Sequence, residues 1–495
     1  MKKTIFNTIK IVIFLLILGG CIFASTVVLR RKDSDFKYAD FLSESKEGHI
    51  DVLFIGSSHV INAINPVVLY DDYGYTSYNM GGHGSLLQST YWELRESLEY
   101  MTPEWVVVDT YMIEKNVKYL DDREEYEDDD INTSVEQLHL NMDVWPYNDL
   151  KVKAIDDLIS DEKTKNEFLY DFIVYHNRWQ NLTANDFKTL TGTADRNQLF
   201  GGEMRYKVEI DPPIHPEATE GDYLTEDTVG CEYLRKIIEL CQDKGIGVVV
   251  TYYPFAAETG DKAAAVKAGE IAAEYDVPFL NMLELDVVDL YSDLNDHGHL
   301  NVTGATKVTD YMGEWLSNTG DLIDHRGDPE YSHWEDNAEK FQAELDDMVL
   351  DEDNLYVKLN LLKLDGYSFI LYVNEDSGVY HDTAMMHIID NLSGSGKVST
   401  DNSAYVVIKD GATGKVYDAK GGEILESVPT AMGNLYYRFV EKYYRILSPV
   451  DDEDTNYLYD DGHAAEDIQL IIFDSETGEI LSHDYYRSYG GNYER

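Results

Sequence analysis

The chain has 495 residues, 40 basic against 93 acidic, and a formal charge of −53. That length exceeds one ordinary core and predicts two or three domains, and an apolar content of 43% excludes a globally disordered chain. The charge excludes nucleic acid as a partner, because phosphate binding needs basic patches, and it opposes docking on anionic lipid.

The chain opens with a targeting segment, residues 1–32. Lys2, Lys3 and Lys10 precede an uncharged apolar run, Ile11 to Leu29, which ends at Arg30-Arg31-Lys32. Such a run just crosses a hydrocarbon core of about 30 Å at ~1.5 Å per residue. A single-pass amino-terminal anchor is the expected state. Leu18-Gly-Gly-Cys21 resembles a bacterial lipoprotein signal, so lipidation of Cys21 is the second reading and cleavage with secretion the third. With no second spanning run, the acidic body is expected outside a bacterial cell membrane.

From 48 to 112 the pattern is strand, turn, strand, helix, strand. Val52 to Ile55 reads as a strand buried on both faces, stopped by Gly56 and followed by Ser57-Ser58-His59. Tyr75 to Met80 is the second strand and leads into the loop Gly81-Gly-His-Gly84. Ser85 is the expected cap of a helix with apolar residues at Leu87, Tyr91, Leu94 and Leu98. Trp105 to Asp109 is the third strand. Residues 113–225 read as an insertion. Within it, Asp121–Asp130 is a solvated acidic loop or a calcium site, and Tyr175-His-Asn-Arg-Trp179 is a glycan-binding surface or a packed helix with a polar edge.

The α/β rhythm returns at 230. Cys231 to Lys244 is helical and Gly245 ends it. Cys231 and Cys241 are separated by roughly 15 Å of helical rise, beyond disulfide reach, and read as core residues. Val248 to Tyr252 is the fourth strand, Ala256 to Tyr275 a helix, Val277 to Met282 the fifth strand, and a last helix runs to about Leu316. Strands alternating with helices imply a parallel sheet. Residues 319–350 read as a linker with some helix. From 351 to 495, short alternating runs such as Tyr367–Val373, Tyr405–Ile408 and Ile468–Phe473 predict a β-rich second domain, with Asp474-Ser-Glu-Thr-Gly478 as a hairpin loop.

A serine at the carboxyl end of a buried strand stands where an open α/β sheet places its ligand crevice. On that stretch alone, Ser58 is equally a nucleophile and a helix N-cap. A nucleophilic hydroxyl needs a base and the base an orienting group. Asp296 and His299, in Asp293-Leu-Asn-Asp-His-Gly-His-Leu-Asn301 after the fifth strand, supply both types on one turn. The carboxylate can reach the near imidazole nitrogen and leave the far one for serine. His297 beside them also suggests a metal pair, but the relay is the preferred reading; neither a metal nor a cofactor is expected. His176, His215 and His333 have no partner visible in the sequence.

Gly56-Ser57-Ser58, Asn79-Met-Gly-Gly-His-Gly84 and Asp296-His-Gly-His299 together resemble the SGNH (GDSL-like) hydrolase superfamily over roughly 48–318. Ser57 stands where the commonest members carry Asp. The resemblance implies a flavodoxin-like α/β/α sandwich on a five-stranded parallel sheet. It implies Ser58 as nucleophile, Asp296 and His299 as its relay, and the N–H groups of Ser58 and Gly84 as the oxyanion hole. The family's third block, a Gly-x-Asn after the third strand, is absent: the chain runs Val108-Asp109-Thr110-Tyr111, with Thr110 or Tyr111 as substitutes or a hole of two donors. His59, Tyr111, His176, Arg178 and Trp179 are candidates for substrate contact.

The Ser-Ser variant and the anchor look most like envelope proteins of the D-alanyl transfer and alginate O-acetylation type. These act on a cell-surface glycan or acylated polymer and often work with a membrane-bound O-acyltransferase. The segment Asp467–Ile480 resembles, over a short stretch, the interleukin-like EMT inducer domain. The expected function is therefore a membrane-anchored extracellular esterase or O-acyltransferase acting through an acyl-serine. The alternative is a catalytically weak or inactive SGNH-fold protein that binds glycan.

Overall fold

In the computed structural model the leader forms one helix, α1 (Lys2–Leu29), followed by α2 (Asp33–Glu47). The structure describes all residues except 1, 31–32, 49, 116–118, 120–134, 171, 194–195, 399–401, 453, 460–461, 464–465 and 490–491. The acidic run Asp121–Asp130 therefore lies outside the described residues. Thr4–Leu29 has a mean hydropathy of 2.8 and is long and apolar enough to cross a membrane or to serve as a signal sequence. Its residues 4–23 are exposed, whereas Val28 and Leu29 are buried.

Five short apolar strands form one parallel sheet: β1 (Val52–Ile55), β2 (Ser77–Asn79), β3 (Trp105–Asp109), β4 (Gly247–Tyr252) and β5 (Phe279–Asn281). Their order is β2-β1-β3-β4-β5, a doubly wound order whose direction reverses between β1 and β3. The crossovers carry α3 (Ser58–Ala63), α4 (Pro66–Tyr73) and α5 (Leu87–Ser97).

Between β3 and β4 lie α6 (Val135–Met142), α7 (Asp149–Leu158), α8 (Glu162–Leu169), α9 (Phe172–Tyr175), α10 (Ala184–Lys188) and α11 (Val229–Lys244). Then come α12 (Thr259–Glu274) and α13 (Val302–Ser317).

Helices cover both faces of this sheet. On one, α5, α11 and α12 pack as a layer. The Asp157 carboxylate clamps it by accepting from Trp92 Nε1 (2.7 Å) and the Tyr233 hydroxyl (2.5 Å). On the other, the ring of Trp105 meets Trp315 edge-on, and the Tyr73 hydroxyl donates to the carbonyl of Asp310 (3.0 Å). Gly245 stops α11 in the left-handed conformation (φ 72°), and Cys231 and Cys241 are free and buried.

One expectation is corrected here. Ser85 does not cap α5: the N-cap position is Leu86, which makes no side-chain cap bond. The Ser85 hydroxyl instead pairs with that of Ser89 (2.8 Å), inside a buried cluster that includes the Tyr119 hydroxyl.

Two compact units divide the chain. One is Met1–Glu203, His215–Asp286 and Val308–Ala338; the other is Met204–Ile214, Val287–Lys307 and Glu339–Arg495. The second unit contains the hairpin β6 (Leu294–Asp296) and β7 (His299–Leu300). Its main sheet has six antiparallel strands in the order β10-β9-β8-β14-β15-β16, and a three-stranded sheet has the order β11-β12-β13. The strands are β8 (Ser368–Val373), β9 (Tyr405–Asp410), β10 (Lys415–Lys420), β11 (Ile424–Thr430), β12 (Gly433–Glu441), β13 (Tyr444–Pro449), β14 (Ile468–Phe473), β15 (Ile480–Tyr489) and β16 (Asn492–Glu494).

Alternate residues of a strand face opposite ways, so the fully buried β8, β9 and β14 need cover on both sides. Ile370, Tyr372, Ile408 and Ile471 pack with Val428, Tyr437 and Leu447 of the smaller sheet. On the other side, Asp484 of β15 meets Lys358 of α15 (Leu355–Leu361) in a buried ion pair of 3.4 Å.

The segment read as a linker with some helix holds most of α14 (Ser332–Asp351), and a further helix, α16 (Thr383–Ser393), stands within the β-rich region. The expected hairpin loop closes through Gly478 N–H donating to the Asp474 carbonyl (2.9 Å).

Candidate active site

The parallel sheet delivers three loops to one edge: Gly56–Ser58 after β1, Met80–Gly84 after β2 and Thr110–Tyr111 after β3. Gly56 has φ 146°, and a Cβ there would stand 2.6 Å from Asp109 Cβ. Only glycine permits this turn against the end of β3.

The serines that follow divide their work. Ser57 is the N-cap of α3, and its hydroxyl accepts from His59 N–H (3.2 Å). The same hydroxyl donates to Asp109 Oδ2 (2.9 Å), spanning the crevice between β1 and β3. Ser58 is the first residue of α3 and is partly exposed.

Asp109, beside the place where the resemblance calls for an Asn, carries no motif of its own in the sequence. It is 1% exposed. Burial pushes its carboxyl up to about 6, against hydrogen bonds from the Ser57 hydroxyl and the N–H groups of Tyr111, Ser57 and Thr110. Thr110 does not take the place of the missing amide, because its hydroxyl donates to the carbonyl of Thr251 (2.8 Å). Tyr111 stacks on His59 with ring centroids 3.7 Å apart, and Phe255 meets both rings edge-on.

The glycine loop is tied to β1 and α3. Met80 N–H donates to Phe54 O (2.8 Å) and Gly82 N–H to Gly56 O (2.9 Å). The Asn79 amide donates to the carbonyls of Val60 (2.8 Å) and Ile64 (3.1 Å) and accepts from Gly81 N–H (3.2 Å). A Cβ on Gly81 would lie 2.8 Å from the Ser57 carbonyl, so the loop lies directly on the serine turn. Gly84, the expected second oxyanion donor, is buried in the left-handed region (φ 57°).

A cavity of about 100 Å³ opens beside this loop, lined in part by Lys37, His83, Glu93, Asn141 and Glu203. Lys37 Nζ donates to Gly81 O (2.7 Å), and His83 Nε2 lies 3.4 Å from Glu203 Oε1. Burial pushes the Glu93 carboxyl up to about 8 against the pull of Lys37. None of Lys37, Glu93 and Glu203 carries a sequence motif; only the fold gathers them.

Asp296 and His299 face each other across the β6–β7 hairpin of the second unit. His299 Nδ1 lies 2.8 Å from Asp296 Oδ1, which also accepts from Gly298 N–H (3.0 Å), while Oδ2 accepts from the Asn295 amide (2.8 Å). Burial pushes the Asp296 carboxyl up, but the hydrogen bond and charge of His299, with Asn295 and Gly298, outweigh it and hold it well below the usual carboxylate range. A neutral imidazole donating from Nδ1 presents Nε2 as the basic nitrogen. His297 faces Glu209 instead (3.6 Å).

His333, His176 and Arg178 each have a partner in the fold. His333, without a visible partner in the sequence, pairs with the buried Glu44 (2.9 Å). His176 Nδ1 lies 2.8 Å from the Ile173 carbonyl. Arg178 bonds to the end of α1 and pairs with Asp186 (2.7 Å), and Trp179 is exposed.

No model of a known protein family matches the chain, and no curated protein matches it.

Proposed function

We propose that the chain is an SGNH-type serine esterase or O-acyltransferase, held to the cell envelope by α1 and acting on a surface or exported polysaccharide. The observation that carries the reading is the division between the serines: Ser57 supplies the cap and holds Asp109, so helix capping does not account for Ser58 at the crevice. The doubly wound strand order, the glycine loop on the serine turn and the 2.8 Å Asp296–His299 pair support it.

In this reading Ser58 Oγ attacks the ester carbonyl while its proton passes to His299 Nε2. The carbonyl oxygen gathers charge against the N–H groups of Ser58 and Gly84. The leaving alcohol takes the proton from His299, and an acyl-serine remains. Water or a sugar hydroxyl then attacks that ester, with His299 again taking the proton and returning it to Ser58. With Thr110 occupied, the oxyanion hole has two backbone donors, a weaker hole than one completed by an Asn.

The test is full-length protein in detergent, treated with a fluorophosphonate probe and with p-nitrophenyl acetate. Wild type should label on Ser58. Ser58→Ala should abolish labelling, and His299→Ala should slow it at least a hundredfold. Labelling of wild type and Ser58→Ala at equal rates would refute the reading and favour a glycan-binding role.

A further inference from the structure

The body of the protein grips the end of α1. Elements α9, the 3-10 turn His176–Asn181, α10 and the 3-10 turn Thr189–Thr191 all contact this helix. Residues 24–29 of α1, and Arg30 after it, are shielded, while 4–23 are exposed. Arg178 Nη1 donates to the Arg30 carbonyl (2.8 Å) and stands 3.4 Å from those of Val28 and Leu29, which have no acceptor duty within the helix. Asp186, 1% exposed, pairs with the same guanidinium at 2.7 Å.

The outside of this collar has an unusual composition for the chain. Phe172, Ile173, Trp179, Phe187 and Leu190 are all exposed. Residues 172–191 contain a single acidic side chain, the buried Asp186, in a protein with 93 acidic residues.

The depth of the collar follows from the helix. Lys10 is the last charge before Arg30, so the apolar span runs from Ile11 to Leu29. Its rise is ~28 Å, close to a whole hydrocarbon core. The shielded stretch 24–29 occupies the last ~9 Å of that span. For α1 to cross, the collar must enter the leaflet to about that depth, which is the depth at which interfacial helices bury their apolar faces.

We propose that residues 172–191 form a membrane-seated collar. It is sunk into the leaflet from which α1 emerges, with Trp179, Phe187 and Leu190 among the lipids, and it is continuous with a retained anchor. The partner is a lipid bilayer, engaged through apolar contact.

The experiment uses full-length protein in phosphatidylcholine nanodiscs, in a Cys21→Ala background; the other cysteines are buried. A bimane probe is placed on Ile173→Cys, on Phe187→Cys and, as a control on an exposed face of α11, on Asp243→Cys. Lipids carry a quencher either high or low on the acyl chain, and circular dichroism verifies folding. Both collar probes should be quenched at least threefold more than the control, and more by the shallow quencher than by the deep one. Quenching no greater than the control would overturn the proposal. So would a mature chain, weighed by mass spectrometry, that begins after Leu29.

Discussion

The hairpin that carries Asp296 and His299 hangs from Asp293, and Asp293→Asn tests how. The carboxylate is 0% exposed. Oδ1 accepts from Lys363 Nζ (2.6 Å) and the Thr303 hydroxyl (3.0 Å), and Oδ2 from Lys307 Nζ (2.6 Å) and Asp289 N–H (2.8 Å). Burial pushes this carboxyl up, but the charges of Lys363 and Lys307 hold it well below the usual range. Lys363 is itself 7% exposed in its side chain.

The amide keeps the shape and removes the charge, leaving the buried Lys363 ammonium with only neutral acceptors, the amide oxygen and the Ser292 hydroxyl (2.8 Å). Removing one partner of a buried pair costs about 3–5 kcal/mol. In hydrogen-exchange mass spectrometry the amides of 289–307 should exchange roughly a hundredfold faster or more. Lys363→Met added to Asp293→Asn should restore most of the loss. Because the folded carboxyl titrates below its unfolded value of 3.8, its stabilisation is present above pH ~4 and fades with acid. The gap between wild type and Asp293→Asn should therefore close as pH falls below ~4. An exchange change under threefold, or a double variant no better than the single, would refute the argument.

Three further outcomes follow from the serine turn. Asp109 titrates at about 6 in place of 3.8, so its contribution is greatest below pH ~4 and is lost as pH rises through about 6, a difference of about 3 kcal/mol; urea denaturation of wild type should show this slope and Asp109→Asn should not. Ser57→Ala removes a cap and leaves the Asp109 carboxylate without its hydroxyl donor, at about 1–3 kcal/mol by the same assay, yet it should still label with fluorophosphonate where Ser58→Ala does not. Gly56→Ala drives a Cβ into Asp109 at φ 146° and should cost ~2–4 kcal/mol in thermal or urea unfolding.

The parallel sheet was legible because each strand is a short apolar run ended by a turn residue, the pattern of strands buried on both faces. The Asp-x-x-His pair was legible because its partners are three residues apart. Asp109 was not, because its meaning depends on Ser57, 52 residues away. Helix α14 was half hidden because Trp334, Phe341, Leu345 and Val349 form a thin buried stripe in a heavily acidic surface. Helices α15 and α16 carry apolar runs as short as those of the strands around them, and period alone cannot separate such runs. The Ser85 cap failed because the Ser89 hydroxyl, itself paired with that of Tyr119, engages that serine.

The division of the chain into units has a consequence for its modularity. Segments 204–214 and 287–307 are interleaved with the first unit in sequence but belong to the fold of the second. Asp293, the root of the β6–β7 hairpin, is held by Lys363, and Thr303 is held by the Asn360 amide (2.8 Å). A stop codon after residue 350 would delete both partners. The carboxy-terminal region is thus no detachable appendage: a gene shortened there would encode the Asp296–His299 hairpin with Asp293 stripped of Lys363 and left to Lys307, Thr303 and Asp289.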